Sequence, residues 1–166
     1  TLYNDIEHKE KLIILANDKH LPAYKERSTF LPDATSLALE NLKNENGFFL
    51  MVEGSQIDFA GHDKDSTYLV DEMLDFNNTI NNVLEFAEKN PNTLVIVTAD
   101  HETGGLKAQN GIFVYTSVNH TQENVPYFVA GKGADYFEGL TDNTQISLAV
   151  RKASTELDPK WQAEHK

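Results

Sequence analysis

Unbroken apolar runs alternate with longer stretches of helical periodicity along this chain. Residues 12–16, Leu-Ile-Ile-Leu-Ala, form a short apolar run ending at Asn17-Asp18, the pattern of a buried strand that enters a loop. Residues 19–32 carry Pro22, Pro32 and scattered charges and read as an irregular connection. Leu37, Leu39 and Leu42 fall near helical spacing, so a helix capped near Asp33 is expected over 33–46, closed by Gly47. Phe48-Phe49-Leu50-Met51-Val52 is apolar throughout, which predicts a strand buried on both faces.

The region 66–89 carries the strongest helical signal. Leu69, Met73, Phe76, Ile80, Val83 and Ala87 make a single apolar stripe, and Asn90-Pro91-Asn92 stops it. Leu94-Val95-Ile96-Val97 reads as another fully buried strand. Residues 111–115 and 126–130 are two further strand candidates, and a last helix is expected over 143–155 with Ile146, Leu148, Ala149 and Val150. Strand and helix patterns alternate, which predicts an α/β fold: a mainly parallel sheet with flanking helices.

Length and charge narrow the class. With 166 residues, the chain fits one domain, 1–166. Its 14 Lys+Arg against 26 Asp+Glu give a formal net charge of −12, which argues against nucleic acid or an anionic membrane as partner. No run approaches the ~18 apolar residues of a membrane span. There is no cysteine, which excludes disulfides and thiolate metal sites. The start, Thr1-Leu2-Tyr3-Asn4-Asp5, has neither the features of a signal peptide nor an initiator Met, so a piece of a longer protein is expected.

Four stretches carry candidate chemistry, and three follow predicted strands, where open α/β sheets place their ligand sites. Val52-Glu53-Gly54 ends an apolar strand in a carboxylate; a solvated strand end is the plain alternative. In Ile57-Asp58-Phe59-Ala60-Gly61-His62, Asp58 and His62 are four apart, so a helical turn puts both on one face and suits a zinc-like ion. A surface Asp–His contact would look the same. In Val97-Thr98-Ala99-Asp100-His101-Glu102-Thr103-Gly104-Gly105, a buried strand delivers Asp100 and His101 into a Gly-rich turn. Neighbouring residues leave a strand on opposite faces, so both can serve one ion only if the backbone turns there. Asn119-His120-Thr121 precedes the apolar Pro126-Tyr127-Phe128-Val129; a lone loop histidine is commonly of no consequence. Together, three carboxylates and three histidines would need a cation to offset carboxylate repulsion. Their mixed character suggests more than one ion, zinc beside magnesium.

These residues form recognisable motifs. Gly47 through His62, Leu94 through Gly105, and His120-Thr121 followed by Val125-Pro126 and Gly131-Lys132-Gly133-Ala134 closely resemble the metal-binding motifs of alkaline phosphatases. The resemblance covers about residues 10–155, the C-terminal portion of the alkaline phosphatase-like fold. It implies Asp58, His62 and His120 as ligands of a first zinc, Asp100 and His101 as ligands of a second zinc, and Glu53 as a ligand of a magnesium. It implies hydrolysis of phosphate monoesters by a serine alkoxide through a phosphoserine, with two zinc ions and one magnesium in the parent protein. It further implies a periplasmic or secreted location and a homodimer.

The departures are as informative. The family's Asp-Ser-Ala nucleophile motif, its early bridging aspartate, its magnesium threonine and its phosphate-clamping arginine have no counterpart here; the only arginines are Arg27 and Arg151. Phe59 stands where some members carry Lys or His beside the magnesium. The chain is therefore expected to be a fragment without its N-terminal half, which would be its partner. Alone it should be inactive or nearly so and should hold zinc at the first site. Rival readings are another binuclear enzyme of the superfamily (a phosphodiesterase, sulfatase or phosphomutase) and a non-catalytic zinc-binding domain.

Overall fold

The computed structural model describes residues 13–157. In chain order the elements are α1 (Tyr24–Arg27), α2 (Phe30–Leu42), α3 (Gln56–Asp63), α4 (Ser66–Lys89), β1 (Leu94–Thr98), β2 (Glu102–Thr103), β3 (Leu106–Gln109), β4 (Ile112–Tyr115), β5 (His120–Thr121), β6 (Tyr127–Gly131), a 3₁₀ turn (Ala134–Phe137) and α5 (Thr144–Leu157). The chain divides into two compact units. One runs up to Phe86 and takes in Thr103–Thr121; the other comprises Ala87–Glu102 and the residues from Gln122 onward.

In the first unit, α2 begins at Phe30, ahead of the expected Asp33, because Pro32 falls in the first turn, where no backbone N–H is needed. It ends at Leu42, where Asn44 Nδ2 donates to the Leu42 carbonyl at 2.7 Å. The Pro-containing connection also holds the short α1. Both continuous apolar runs differ from expectation. Residues 13–16 and 48–52 have no assigned strand structure and join no ladder; Leu12 lies outside the described residues. Ile13 and Leu15 are 85% and 88% exposed, and Phe49 and Met51 are each 77% exposed. Leu50 and Val52 between them are half-buried, so the 48–52 segment shows the period-two exposure of a strand with one face covered.

Helix α4 occupies the expected span but presents a different face. Its buried residues are Glu72, Asp75 and Thr79, while Met73 on the apolar stripe is 50% exposed and Leu69, Phe76, Ile80 and Val83 are half-buried. The reason is Arg27, which needs two carboxylates. Its guanidinium donates to Glu72 Oε1 at 3.0 Å, to Glu72 Oε2 at 2.6 Å and to Asp75 Oδ2 at 2.7 Å. The Tyr24 N–H adds a bond to Glu72 Oε1 at 2.7 Å. A buried charge is tolerated only when paired in this way, so the polar stripe faces inward. Asn82 ties α2 to α4 through Ser36 Oγ at 3.0 Å.

The first unit also holds the β3–β4 hairpin, paired antiparallel with Gln109 opposite Ile112. Its turn is Asn110-Gly111, both at positive φ (51° and 78°), the residues that a two-residue hairpin turn favours. The 111–115 strand candidate is thus the second arm of a hairpin whose first arm the sequence reading missed.

In the second unit β1 pairs antiparallel with β6, Ile96 opposite Val129. Phe137, Ala149 and Ala153 form the buried cluster, with Leu94, Ile96, Tyr127 and Val129 packed against it from the strands. Tyr127 Oη donates to the Phe137 carbonyl at 2.8 Å, satisfying the phenol next to an apolar core. Helices with small sheets make an α/β arrangement, but both registers defined here are antiparallel, against the expected mainly parallel sheet. The two runs best suited to a parallel ladder are the ones left unpaired.

Candidate metal centre

Three of the six expected ligands meet in the first unit. Asp58 and His62 lie on α3, and Asp58 Oδ1 stands 3.5 Å from His62 Nε2. His120 opens β5, and its Nε2 lies 3.4 Å from Asp58 Oδ1 and 3.2 Å from His62 Nε2. Each is partly open to solvent, with 34–48% of the side chain exposed. Donor atoms about 2.0–2.1 Å from a tetrahedral ion stand roughly 3.3–3.4 Å apart, so these three match one face of such a site. His62 Nδ1 lies 2.7 Å from the Val118 carbonyl, which accepts only from the N–H tautomer. That leaves the Nε2 lone pair free to ligate, the arrangement in which an outer partner fixes a ligand histidine.

Two glycines bring the pieces together. A Cβ at Gly61 would come within 3.0 Å of the Thr103 methyl group, and one at Gly104 would meet the Gly61 carbonyl at 2.9 Å. Gly104 also sits at φ 92°, where L side chains rarely go. With α3 this close to the turn, Thr103 Oγ1 donates to Asp58 Oδ1 at 2.6 Å. The same turn holds the segment before His120: the Gly104 N–H donates to the Asn119 carbonyl at 3.1 Å, and the Ser117 N–H to the Gly104 carbonyl at 2.9 Å. A single turn therefore anchors both the helix that carries Asp58 and His62 and the strand that carries His120.

The remaining three candidates are Asp100, His101 and Glu53. Asp100 and His101 follow β1 in the second unit, where the chain has left the strand, and His101 Nε2 lies 3.3 Å from Asp100 Oδ2. The turn has brought these neighbours to one side, as joint ligation requires. Asp100 is 88% exposed. Glu53 is exposed at the end of the 48–52 segment, just ahead of α3. Phe59 is also on α3, with the His20 ring 5.0 Å away.

Thr103, the Val118 carbonyl and Gln56 were not anticipated. Thr103 lies inside a motif that the sequence displays, but its contact with Asp58 depends on close backbone approach at two glycines, which spacing along the chain does not report. Gln56 is buried at the start of α3.

The alkaline phosphatase family profile matches residues 4–118. Alkaline phosphatase 3 of Bacillus subtilis is 40% identical over 159 residues, spanning 89% of this chain and 34% of that protein. Among solved structures, the alkaline phosphatase of the Antarctic bacterium TAB5 superposes with a TM-score of 0.76 at 36% identity, covering 82% of this chain and 44% of that one. A variant of it, described with Mg bound in its M3 site, gives 0.76 at 37% identity over 84% of this chain and 46% of that one. The chain thus spans about a third to a half of the length of these relatives. Because the family profile covers well over half of the chain, and relatives and solved structures of the same kind align along most of it, the chain belongs to the alkaline phosphatase family.

Proposed function

We propose that this chain is the C-terminal, metal-carrying portion of a single alkaline phosphatase-like domain whose whole form hydrolyses phosphate monoesters. The observation that carries the reading is the triangle of Asp58 Oδ1, His62 Nε2 and His120 Nε2, with sides of 3.2, 3.4 and 3.5 Å, in a member of this family. We assign these three residues to a first zinc, Asp100 and His101 to a second zinc, and Glu53 to a magnesium. Cations held there supply the positive charge that a phosphate dianion and its transition state require.

The chain's own groups prepare that site. The bond from His62 Nδ1 to Val118 sets the ring and turns Nε2 toward Asp58 and His120. Thr103 holds the Asp58 carboxylate in one orientation. The partly exposed setting of all three leaves room for a substrate to reach them. The zinc ligands must be deprotonated to bind, so protons compete with the metal as pH falls toward ~6.

The nucleophile is the missing part. None of the seven serines lies in an Asp-Ser-Ala motif, and Ser55, the one close in sequence to candidate ligands, directly precedes α3. The N-terminal half of the domain would supply it, together with partners for the unpaired 48–52 segment in a mainly parallel sheet. A periplasmic or secreted homodimer is the setting that this reading expects.

The test uses zinc, magnesium and an aryl phosphate. The chain alone should give background turnover and no phosphoserine in the acid-quenched protein by mass spectrometry, since covalent transfer needs an activated nucleophile. Fused behind the N-terminal portion of the Bacillus subtilis relative, it should turn over briskly and trap phosphoserine. Brisk turnover with a phosphorylated serine in the chain alone would place the nucleophile here. A folded, metal-loaded fusion without turnover would remove the phosphomonoesterase reading.

A further inference from the structure

We infer that Gln56 is a positioning residue for the Asp58–His62–His120 centre, acting through the roll of α3 about its own axis; the inference rests on the metal-centre reading above. At about 100° per residue, Asp58 and His62 stand about 40° apart on one side of the helix, and Gln56 lies roughly 120–160° around from them. Its side chain is therefore the handle on the back of the element whose front carries two ligands. That handle is buried and fully used. Gln56 Nε2 donates to the Leu21 carbonyl at 2.7 Å, and Gln56 Oε1 accepts from the Tyr68 hydroxyl.

The N-terminal end of this helix, at Ser55, has no side-chain cap of its own. The helix has only eight residues, too short to persist unaided. Both anchors that Gln56 grips are themselves held. Tyr68 lies in the first turn of α4, where Asp65 Oδ1 accepts from the Thr67 and Tyr68 N–H groups at 2.9 and 3.0 Å. Leu21 precedes Pro22, whose carbonyl accepts from Arg27 Nη1 at 3.0 Å while the rest of that guanidinium is locked to Glu72 and Asp75. A roll of about 10° carries a side-chain tip at ~6 Å radius through about 1 Å. A metal site tolerates only ~0.2 Å in its ligand distances.

The experiment compares the unmodified chain with Gln56→Met, Tyr68→Phe and His120→Ala. Gln56→Met keeps the length and volume of the side chain but loses its polar atoms; Tyr68→Phe loses one hydroxyl. Zinc affinity is measured calorimetrically well below each melting temperature, and Co2+ loading is followed by its d–d absorption. His120→Ala should abolish tight binding. Gln56→Met and Tyr68→Phe should each weaken zinc about tenfold and reduce the tetrahedral Co2+ band, in the range found for outer-shell changes. A purely structural role would lower the metal-free melting temperature and leave both metal readouts unchanged. If His120→Ala abolishes binding while Tyr68→Phe and Gln56→Met keep the original affinity and spectrum, the positioning role is wrong and the site stands. If His120→Ala binds zinc as well as the original, both fall.

Discussion

The two units have interiors of opposite character. In the second, the buried side chains are Val95 on β1 and the Phe137–Ala149–Ala153 cluster, against which Leu94, Ile96, Tyr127 and Val129 pack from the strands. In the first, Thr35, Gln56, Glu72, Asp75 and Thr79 are buried, with Pro32, Leu39 and Ala60 as the apolar minority, while Phe49, Met51, Met73 and Leu74 face outward. An apolar interior stabilises without direction, in proportion to area. A polar one contributes modest net energy but fixes orientation, because every buried donor and acceptor must meet its partner. The unit that carries Asp58, His62 and His120 is the one built from directional bonds.

The sharpest way to break this contrast is in the second unit. Phe137→Ala, at 1% exposure, should cost about 3–5 kcal/mol in urea unfolding. A loss under ~1 kcal/mol would mean that the cluster is not the core. In the first unit, Arg27→Met should cost about 3 kcal/mol, because two buried carboxylates lose their shared cation. A neutral outcome would show that the ion cluster is dispensable.

A smaller effect follows from pH. Burial pushes the Asp75 carboxyl above its ordinary range, Arg27 pulls it the other way, and Glu72 and Asp33 add to the rise. Its Oδ1 is buried with no hydrogen-bond partner among the described residues. A folded-state pKa above the unfolded one gives stability that is complete below the unfolded pKa and is lost as pH rises through the folded one. Asp75→Asn should therefore remove this pH dependence, so that the stability difference between variant and original moves in the variant's favour from acidic pH to pH 8, read from thermal melts. A difference that moves the other way would show that the carboxylate charge is the better-stabilised form. The smallest effect is expected where the first unit exposes apolar surface: Phe49→Ser with Met51→Ser should change chain stability by under about 1 kcal/mol in total, since both side chains are largely in water. A larger loss would show that the segment is packed in solution.

What could be read in the sequence depends on whether the determinant is local. The span of α4 was legible because Asn90-Pro91-Asn92 ends it and its periodicity runs unbroken. Its buried face was not, because an apolar stripe predicts burial only if nothing demands the other face, and Arg27 demands it from about 45 residues away. The Asp58–His62 pair was legible through helical spacing, and His120 through its motif. The Thr103 contact was not, because it depends on what is absent from Gly61 and Gly104. The Asn110-Gly111 turn was available as a signal and marks a hairpin that could have been read. The runs at 12–16 and 48–52 announce strands, but a strand needs a neighbour, and partners are not written into the run itself.

The central claim is that Asp58, His62 and His120 together hold one zinc. The most direct measurement is the zinc K-edge X-ray absorption spectrum of the chain loaded with one equivalent of zinc at pH 8. The account predicts a four-coordinate first shell of nitrogen and oxygen at about 2.0 Å, with outer-shell scattering from two imidazoles. That imidazole scattering should fall to one ring in His120→Ala or His62→Ala. An all-oxygen shell without imidazole scattering, or a spectrum unchanged by either substitution, would contradict it.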